Sequence, residues 1–174
     1  MQNTFPLPDQ VPDQRHDQPA SGPTGQLTGQ PGELARPDRT IALTRGVSRL
    51  FIDLGLSPLW EFRLANGRRA DIAGLDRRGK LIIAEVKSCR ADFDVDQKWP
   101  DYLDFCDQFY FAVDQDFPRE LLPGTEGLII ADEFGAAIAR ASEDRPLNAA
   151  RRKAVTLRFA RQAAARAIAA PIIP

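Results

Sequence analysis

The chain has 174 residues, of which 43% are hydrophobic and 27% charged, proportions that suit one globular domain and argue against both a fully disordered chain and a membrane protein. Its apolar runs, such as Leu81 to Ala84 and Leu128 to Ala131, fall far short of the ~20 residues that a bilayer-crossing helix needs. A formal net charge of −1 speaks, as an average, against a polyanion partner, because neutralising phosphates takes an excess of Lys and Arg.

The average hides blocks. Residues 1–38 hold five acids against Arg15 and Arg36, and residues 63–90 hold eight basic side chains against Asp71, Asp76 and Glu85. Residues 92–144 carry fourteen acids against Lys98, Arg119 and Arg140, whereas residues 151–166 carry six basic side chains and no acid. Such asymmetry predicts a molecule with one cationic face. The N-terminus lacks the basic start and apolar stretch of a signal peptide, and Cys89 and Cys106 form neither a CxxC pair nor a disulfide framework. A cytoplasmic, reducing location is expected.

Residues 1–37 contain seven of the fourteen prolines and six glutamines, a composition that predicts a disordered tail. His16, the one histidine, lies there, so the folded part at 38–170 has no histidine for a zinc site or a catalytic triad. Asp38 or Thr40 can cap a first helix whose apolar residues Leu43, Val47, Leu50, Phe51 and Leu54 recur at helical spacing and which Gly55 ends. Trp60, Phe62 and Leu64 alternate with polar residues and predict a strand with one buried side. Asn66-Gly67 predicts a hairpin, Arg77-Arg78-Gly79 a second turn, and Leu81 to Lys87 a strand apolar on both faces until its end. A turn is expected near 92–98, followed by a helix from Pro100 to about Cys106. Phe109 to Val113 and Gly127 to Ala131 read as strands, with Ala136 to Ala139 pairing with the second of them. Asn148 can cap a last helix reaching about Ala169. On a 100° wheel, Ala150, Ala154, Leu157, Ala160, Ala164 and Ile168 form the stripe expected to face the core, beside an arc of Arg151, Arg158, Arg161 and Arg166. Val155 and Phe159 fall inside that arc, where they would pack on an extra element or on a partner.

Three residues carry the chemistry. Glu85 and Lys87 project on the same face of one strand, and a turn pairing Asp76 with Lys80 would set Asp71 opposite Glu85. A one-residue change in the turn would set Asp71 opposite Val86 instead. Two carboxylates within reach of one ion suit a hard divalent cation, which stabilises charge on phosphoryl oxygens. The same spacing also suits a cross-strand ion pair in which Lys87 neutralises Asp71 or Glu85.

The α-β-β-β-α-β order with Asp71, Glu85 and Lys87 resembles the PD-(D/E)XK nuclease superfamily. The runs Asn66-Gly67-Arg68-Arg69-Ala70-Asp71, Glu85-Val86-Lys87-Ser88 and Asp96-Gln97-Lys98-Trp99-Pro100-Asp101-Tyr102 look like the MmcB family, associated with DNA repair, over about residues 37–168. That resemblance implies an α/β restriction-endonuclease-like domain with a mixed central sheet flanked by helices, and a Mg²⁺- or Mn²⁺-dependent phosphodiesterase site. Asp71, Glu85 and the Val86 carbonyl would be ligands, and Lys87 would orient the attacking water. Gln97 and Lys98 would lie near the substrate, and Glu61 could supply a further acid if the Asn66 turn has three residues. Trp99 and Tyr102 are expected to pack on the sheet. Arg68, Arg69, Arg90, Arg151 and Arg152 are candidate phosphate contacts, and damaged or branched DNA and other repair proteins are the implied partners.

Overall fold

The computed structural model describes residues 36–95 and 98–170; the Pro/Gln-rich tail up to residue 35 and Gln97 lie outside them, while its last two residues, Arg36 and Pro37, belong to the first helix. Six strands form one mixed sheet in chain order: β1 (Ser57–Arg63), β2 (Arg69–Leu75), β3 (Leu81–Lys87), β4 (Gln108–Val113), β5 (Gly127–Ala131) and β6 (Ala136–Arg140). The first three make an antiparallel meander, β4 and β5 add in parallel, and β6 returns antiparallel. The architecture is the expected α/β sheet flanked by helices.

Helix α1 (Arg36–Asp53) lies on one face. Leu43, Val47 and Phe51 are buried there against Ile72, Ala84, Tyr110 and Ile129. The helix ends as the sequence predicts: Gly55 sits at φ +76, Gly55 N–H donates to Ile52 and Leu56 N–H to Phe51. This pairing of the last carbonyls is the Schellman ending that glycine permits. A Cβ on Gly46 would lie 2.2 Å from the Asp132 carbonyl oxygen, so the helix approaches the β5–β6 turn closely through a residue without a side chain.

The other face carries α2 (Arg90–Val95), α3 (Pro100–Leu103) and α4 (Ala149–Ala169). Part of the expected turn at 92–98 is thus helical. Six residues are too few for a periodic signal, and the packing of Phe93 edge-on against Phe111 at 5.8 Å holds α2 in place. Trp99 and Tyr102 stack on Phe109 at 5.9 Å each, as sheet-packing aromatics.

Helix α4 starts where Asn148 accepts the Arg151 N–H at 2.9 Å, but its expected facing is overturned. Val155 and Phe159 are the buried residues, with Phe159 5.6 Å from Phe62, while Leu157 and Ile168 are 57% and 86% exposed. The alanine-rich stripe offers little area to bury, whereas one valine and one phenylalanine offer more. The polar residues on the inward stripe all find partners. Gln162 exchanges two hydrogen bonds with the backbone of Arg63, and Arg166 donates to the carbonyls of Trp60 and Glu61. Strand β1 is a sheet edge with free backbone groups, and α4 covers it with side chains that can bond to them. Phe159→Ala should therefore cost about 3–5 kcal/mol, and Leu157→Ala no more than about 0.5 kcal/mol, in urea unfolding. The reverse order would return the alanine stripe to the core.

Candidate functional site

The site is built by two turns. Asp76 N–H donates to the Lys80 carbonyl at 3.0 Å, Asp76 Oδ1 accepts from Arg78 and Lys80 N–H, and Gly79 adopts φ +82. The register that follows pairs Leu75 with Leu81 and Ile72 with Ala84. Extended by one residue it sets Asp71 against Glu85, the first of the two sequence alternatives. The regular pairing stops at Ile72, however, and Asp71 Oδ2 instead accepts the Val86 N–H at 2.8 Å. A carboxylate thus fills the place of a backbone acceptor where β2 and β3 part.

The second turn has three residues: Leu64 N–H donates to the Arg68 carbonyl at 2.8 Å, and Arg68 N–H to Asn66 Oδ1. Trp60 therefore pairs with Ile72 and Phe62 with Ala70. Between them Glu61 has φ +47, a left-handed conformation that costs a non-glycine residue about 1–3 kcal/mol. Side-chain alternation breaks there, because Leu59 and Phe62, three apart, both enter the same apolar cluster. Hence Trp60, expected inward, is exposed and donates to Ser48 Oγ at 2.6 Å. Glu61 turns out to Arg69 at 3.4 Å and does not join Asp71 and Glu85. The turn has the three residues that the reading of Glu61 as a further acid required, but the left-handed backbone at Glu61 turns its side chain toward Arg69.

Glu85 and Lys87 emerge from the buried strand β3 and remain buried, at 5% and 3% exposure, with Lys87 Nζ 3.5 Å from Glu85 Oε1. Two charges removed from water are costly unless each has a counter-charge and hydrogen bonds. Asp71, half-buried, adds a second carboxylate beside them. Among the described residues no three His, Cys, Asp or Glu side chains cluster as a metal group, so any ion here would rest on two carboxylates, backbone and solvent. In an extended strand a residue's N–H and C=O point the same way. The Val86 carbonyl accordingly lies on the side of β3 that meets Asp71.

The basic candidates divide. Arg68 pairs with Asp101 at 2.7 Å, Arg69 with Glu61, and Arg151 with Asp104 at 3.0 Å, all on the surface. Arg90 and Lys98 are exposed. Arg152 belongs to the fold: it forks onto Asp107 at 2.9 and 2.6 Å and donates to the Gly79 carbonyl at 2.7 Å. Asp107, 2% exposed, also accepts from the N–H groups of Leu81 and Leu147. This residue was missed in the sequence, where an acid just before a strand gives no sign of burial; so was Glu126, which is buried and bidentate with Arg145 at 2.9 Å. Burial, with the neighbouring Asp107 charge, pushes the Cys106 thiol far up, away from nucleophile chemistry.

Burial alone would raise the Asp107 carboxyl, but the Arg152 fork and the two backbone N–H groups outweigh it and hold it below the usual carboxylate range. A lowered folded-state value means that its stabilisation is complete above the unfolded carboxyl's ~3.9 and is lost as pH falls through the folded value. Asp107→Asn should cost about 3–5 kcal/mol at pH 7, by stranding Arg152. Its urea midpoint should also fall less steeply than the wild type's on acidification. Parallel acid limbs would remove Asp107 from the linkage.

An α/β protein with a mixed sheet and a carboxylate-lysine group at the end of its central strand is the class these features define. Within that class the chain belongs to the MmcB-like family, whose model, described as DNA repair protein MmcB-like, matches residues 30–172. Among solved structures it is similar to a protein of unknown function from Silicibacter pomeroyi, with 40% identity and a TM-score of 0.73 over 82% of this chain and 100% of that one. No curated protein matches the chain. Among the described residues no helix is long and apolar enough to cross a membrane.

Proposed function

We propose that this member of a DNA-repair family hydrolyses DNA phosphodiester bonds with Mg²⁺ or Mn²⁺, on a restriction-endonuclease-like scaffold of the PD-(D/E)XK type. The observation that carries the reading is the meeting of Asp71, Glu85 and Lys87 where β2 and β3 separate, with Asp71 bonded to Val86 N–H at 2.8 Å and Glu85 3.5 Å from Lys87. The donor set suits the ion. Mg²⁺ prefers oxygen ligands and commonly takes one or two carboxylates, with water and phosphate completing the shell; Asp71, Glu85 and the Val86 carbonyl supply such oxygens. When bound, the ion would polarise the phosphoryl group and lower the pKa of a bound water.

The chain's own residues do the rest. Asp71 is fixed by Val86 N–H, so its carboxylate needs little reorganisation when substrate arrives. Lys87, held by Glu85, offers N–H donors to an attacking water and to negative charge growing on the phosphorus oxygens. Gln97, outside the described residues, is assigned to orienting that water. Arg68, Arg69, Arg90, Lys98 and Arg151 would take backbone phosphates, and damaged or branched DNA is the proposed substrate, presented together with other repair proteins. A second reading rests on the burial of Glu85 and Lys87: a structural ion pair on a scaffold that binds DNA without cutting it.

Incubation of the full chain with flapped, branched and single-stranded DNA plus Mn²⁺ separates the two. At least one substrate should be nicked, with Asp71→Asn and Lys87→Met each losing about 10²–10³-fold and Glu61→Gln keeping wild-type rate. Mn²⁺ should raise the Tm of the wild type and leave that of Asp71→Asn unmoved. Cleavage that survives both site substitutions would come from a contaminant, and DNA binding without cleavage or metal-induced stabilisation would establish the second reading.

A further inference from the structure

A groove of about 580 Å³ opens between the outer flank of α4 and the tip of the β1–β2 hairpin. Ala65, Phe105 and Leu157 give it an apolar floor, Arg151, Arg158 and Arg161 stand along it, and no acidic residue lines it. Arg151 lies over the Phe105 ring at 5.8 Å. Arg158 and Arg161 are exposed and form no ion pair among the described residues. Spacings of seven and three put these arginines on one side of the helix, in a row of about 15 Å at ~1.5 Å per residue.

We infer that this groove seats a single-stranded segment of DNA leading to the carboxylate site, an assignment that rests on the DNA reading above. Two unneutralised cations, Arg158 and Arg161, continue the row from Arg151, which is paired with Asp104, above an apolar, partly aromatic floor, and so meet the two needs of a single strand, phosphate neutralisation and cover for base faces. A duplex keeps its base faces stacked internally and would leave Phe105 and Leu157 unused. The location favours nucleic acid over an acidic helix of a protein partner. The groove is on the sheet face toward which Glu85 and Lys87 project, since these residues continue the every-second-residue series of Leu81 and Ile83, members of the cluster that holds Val155 and Phe159. The hairpin that supplies Ala65 runs on into β2, and Asp71 follows after about 20 Å of chain at ~3.3 Å per residue. A strand lying in the groove is thereby directed past the hairpin toward the carboxylates.

The test is fluorescence anisotropy of a labelled 20-nucleotide oligothymidylate with the full chain in EDTA, so that no cleavage is involved. Arg158→Glu/Arg161→Glu should weaken binding at least about tenfold and lower the salt slope by about 1.4, at ~0.7 per lost phosphate contact. Arg77→Glu/Arg78→Glu, in the turn at the opposite end of β2, makes the same charge change and should weaken it less than about threefold, with Tm and circular dichroism confirming that both variants fold. Equal losses in the two variants would reduce the effect to net charge and overturn the proposal. So would tighter binding of a duplex of the same sequence with the same arginine dependence, or stronger binding of an amphipathic Glu/Leu peptide than of the oligonucleotide. Intact groove-dependent binding with no Mn²⁺-dependent cutting would sink the nuclease reading and leave this one standing; cutting of single strands that ignores the groove variant would do the opposite.

Discussion

The candidate site depends on one hydrogen bond between a side chain and the backbone. Where the antiparallel ladder between β2 and β3 would continue past Ile72 and Ala84, the Asp71 carboxylate takes the Val86 N–H instead. An unsatisfied buried N–H costs about 1–3 kcal/mol, so the strands can part only because a side chain stands in for the missing carbonyl. That substitution gives Asp71 a fixed position, with the Val86 carbonyl on the same side of β3. The left-handed Glu61 on the neighbouring strand is the other half of the same distortion. Its carbonyl and that of Trp60 are taken up by Arg166, so the last turns of α4 hold the left-handed residue that lies across from Asp71.

Glu85 and Lys87 show why the end of β3 is costly to build. Seven successive residues of that strand are buried, and in the first four the burial is apolar and favourable. At Glu85 the sequence places a carboxylate and then an ammonium into the same environment. A hydrophobic pair of equal volume is often as stable as such an ion pair or more so. Stability by itself therefore does not single out a charged pair at this place.

How much of this the sequence made legible follows from how local each cause is. The register of β2 on β3 was narrowed to two alternatives because one turn, Arg77-Arg78-Gly79, sets it, and the bond from Asp76 N–H to the Lys80 carbonyl selects the first. The left-handed backbone at Glu61 was not, since no residue between 57 and 63 announces a positive φ; the alternation of Trp60, Phe62 and Leu64 pointed to a regular strand. The facing of α4 was misjudged because a wheel weights alanine as apolar without asking how much area it buries. Asp107 was invisible for the opposite reason: its partners Leu81, Leu147 and Arg152 are scattered along the chain and meet only in the folded state.

That last case bears on what charge counts can reveal. The six basic residues from Arg151 to Arg166 looked like one cationic surface, but the fold divides them. Arg152 and Arg166 turn inward to a buried carboxylate and to backbone carbonyls, where planar guanidinium groups satisfy several acceptors at once. Arg158 and Arg161 face outward along the groove. Residues at 152, 155, 159 and 166 recur on one side of the helix, so the inward arginines are those that share a stripe with Val155 and Phe159. Packing of two apolar side chains thus selects which arginines are structural and which remain available to an anion. Net charge gives no hint of that division, and helical phase gives it only once the buried stripe has been correctly located.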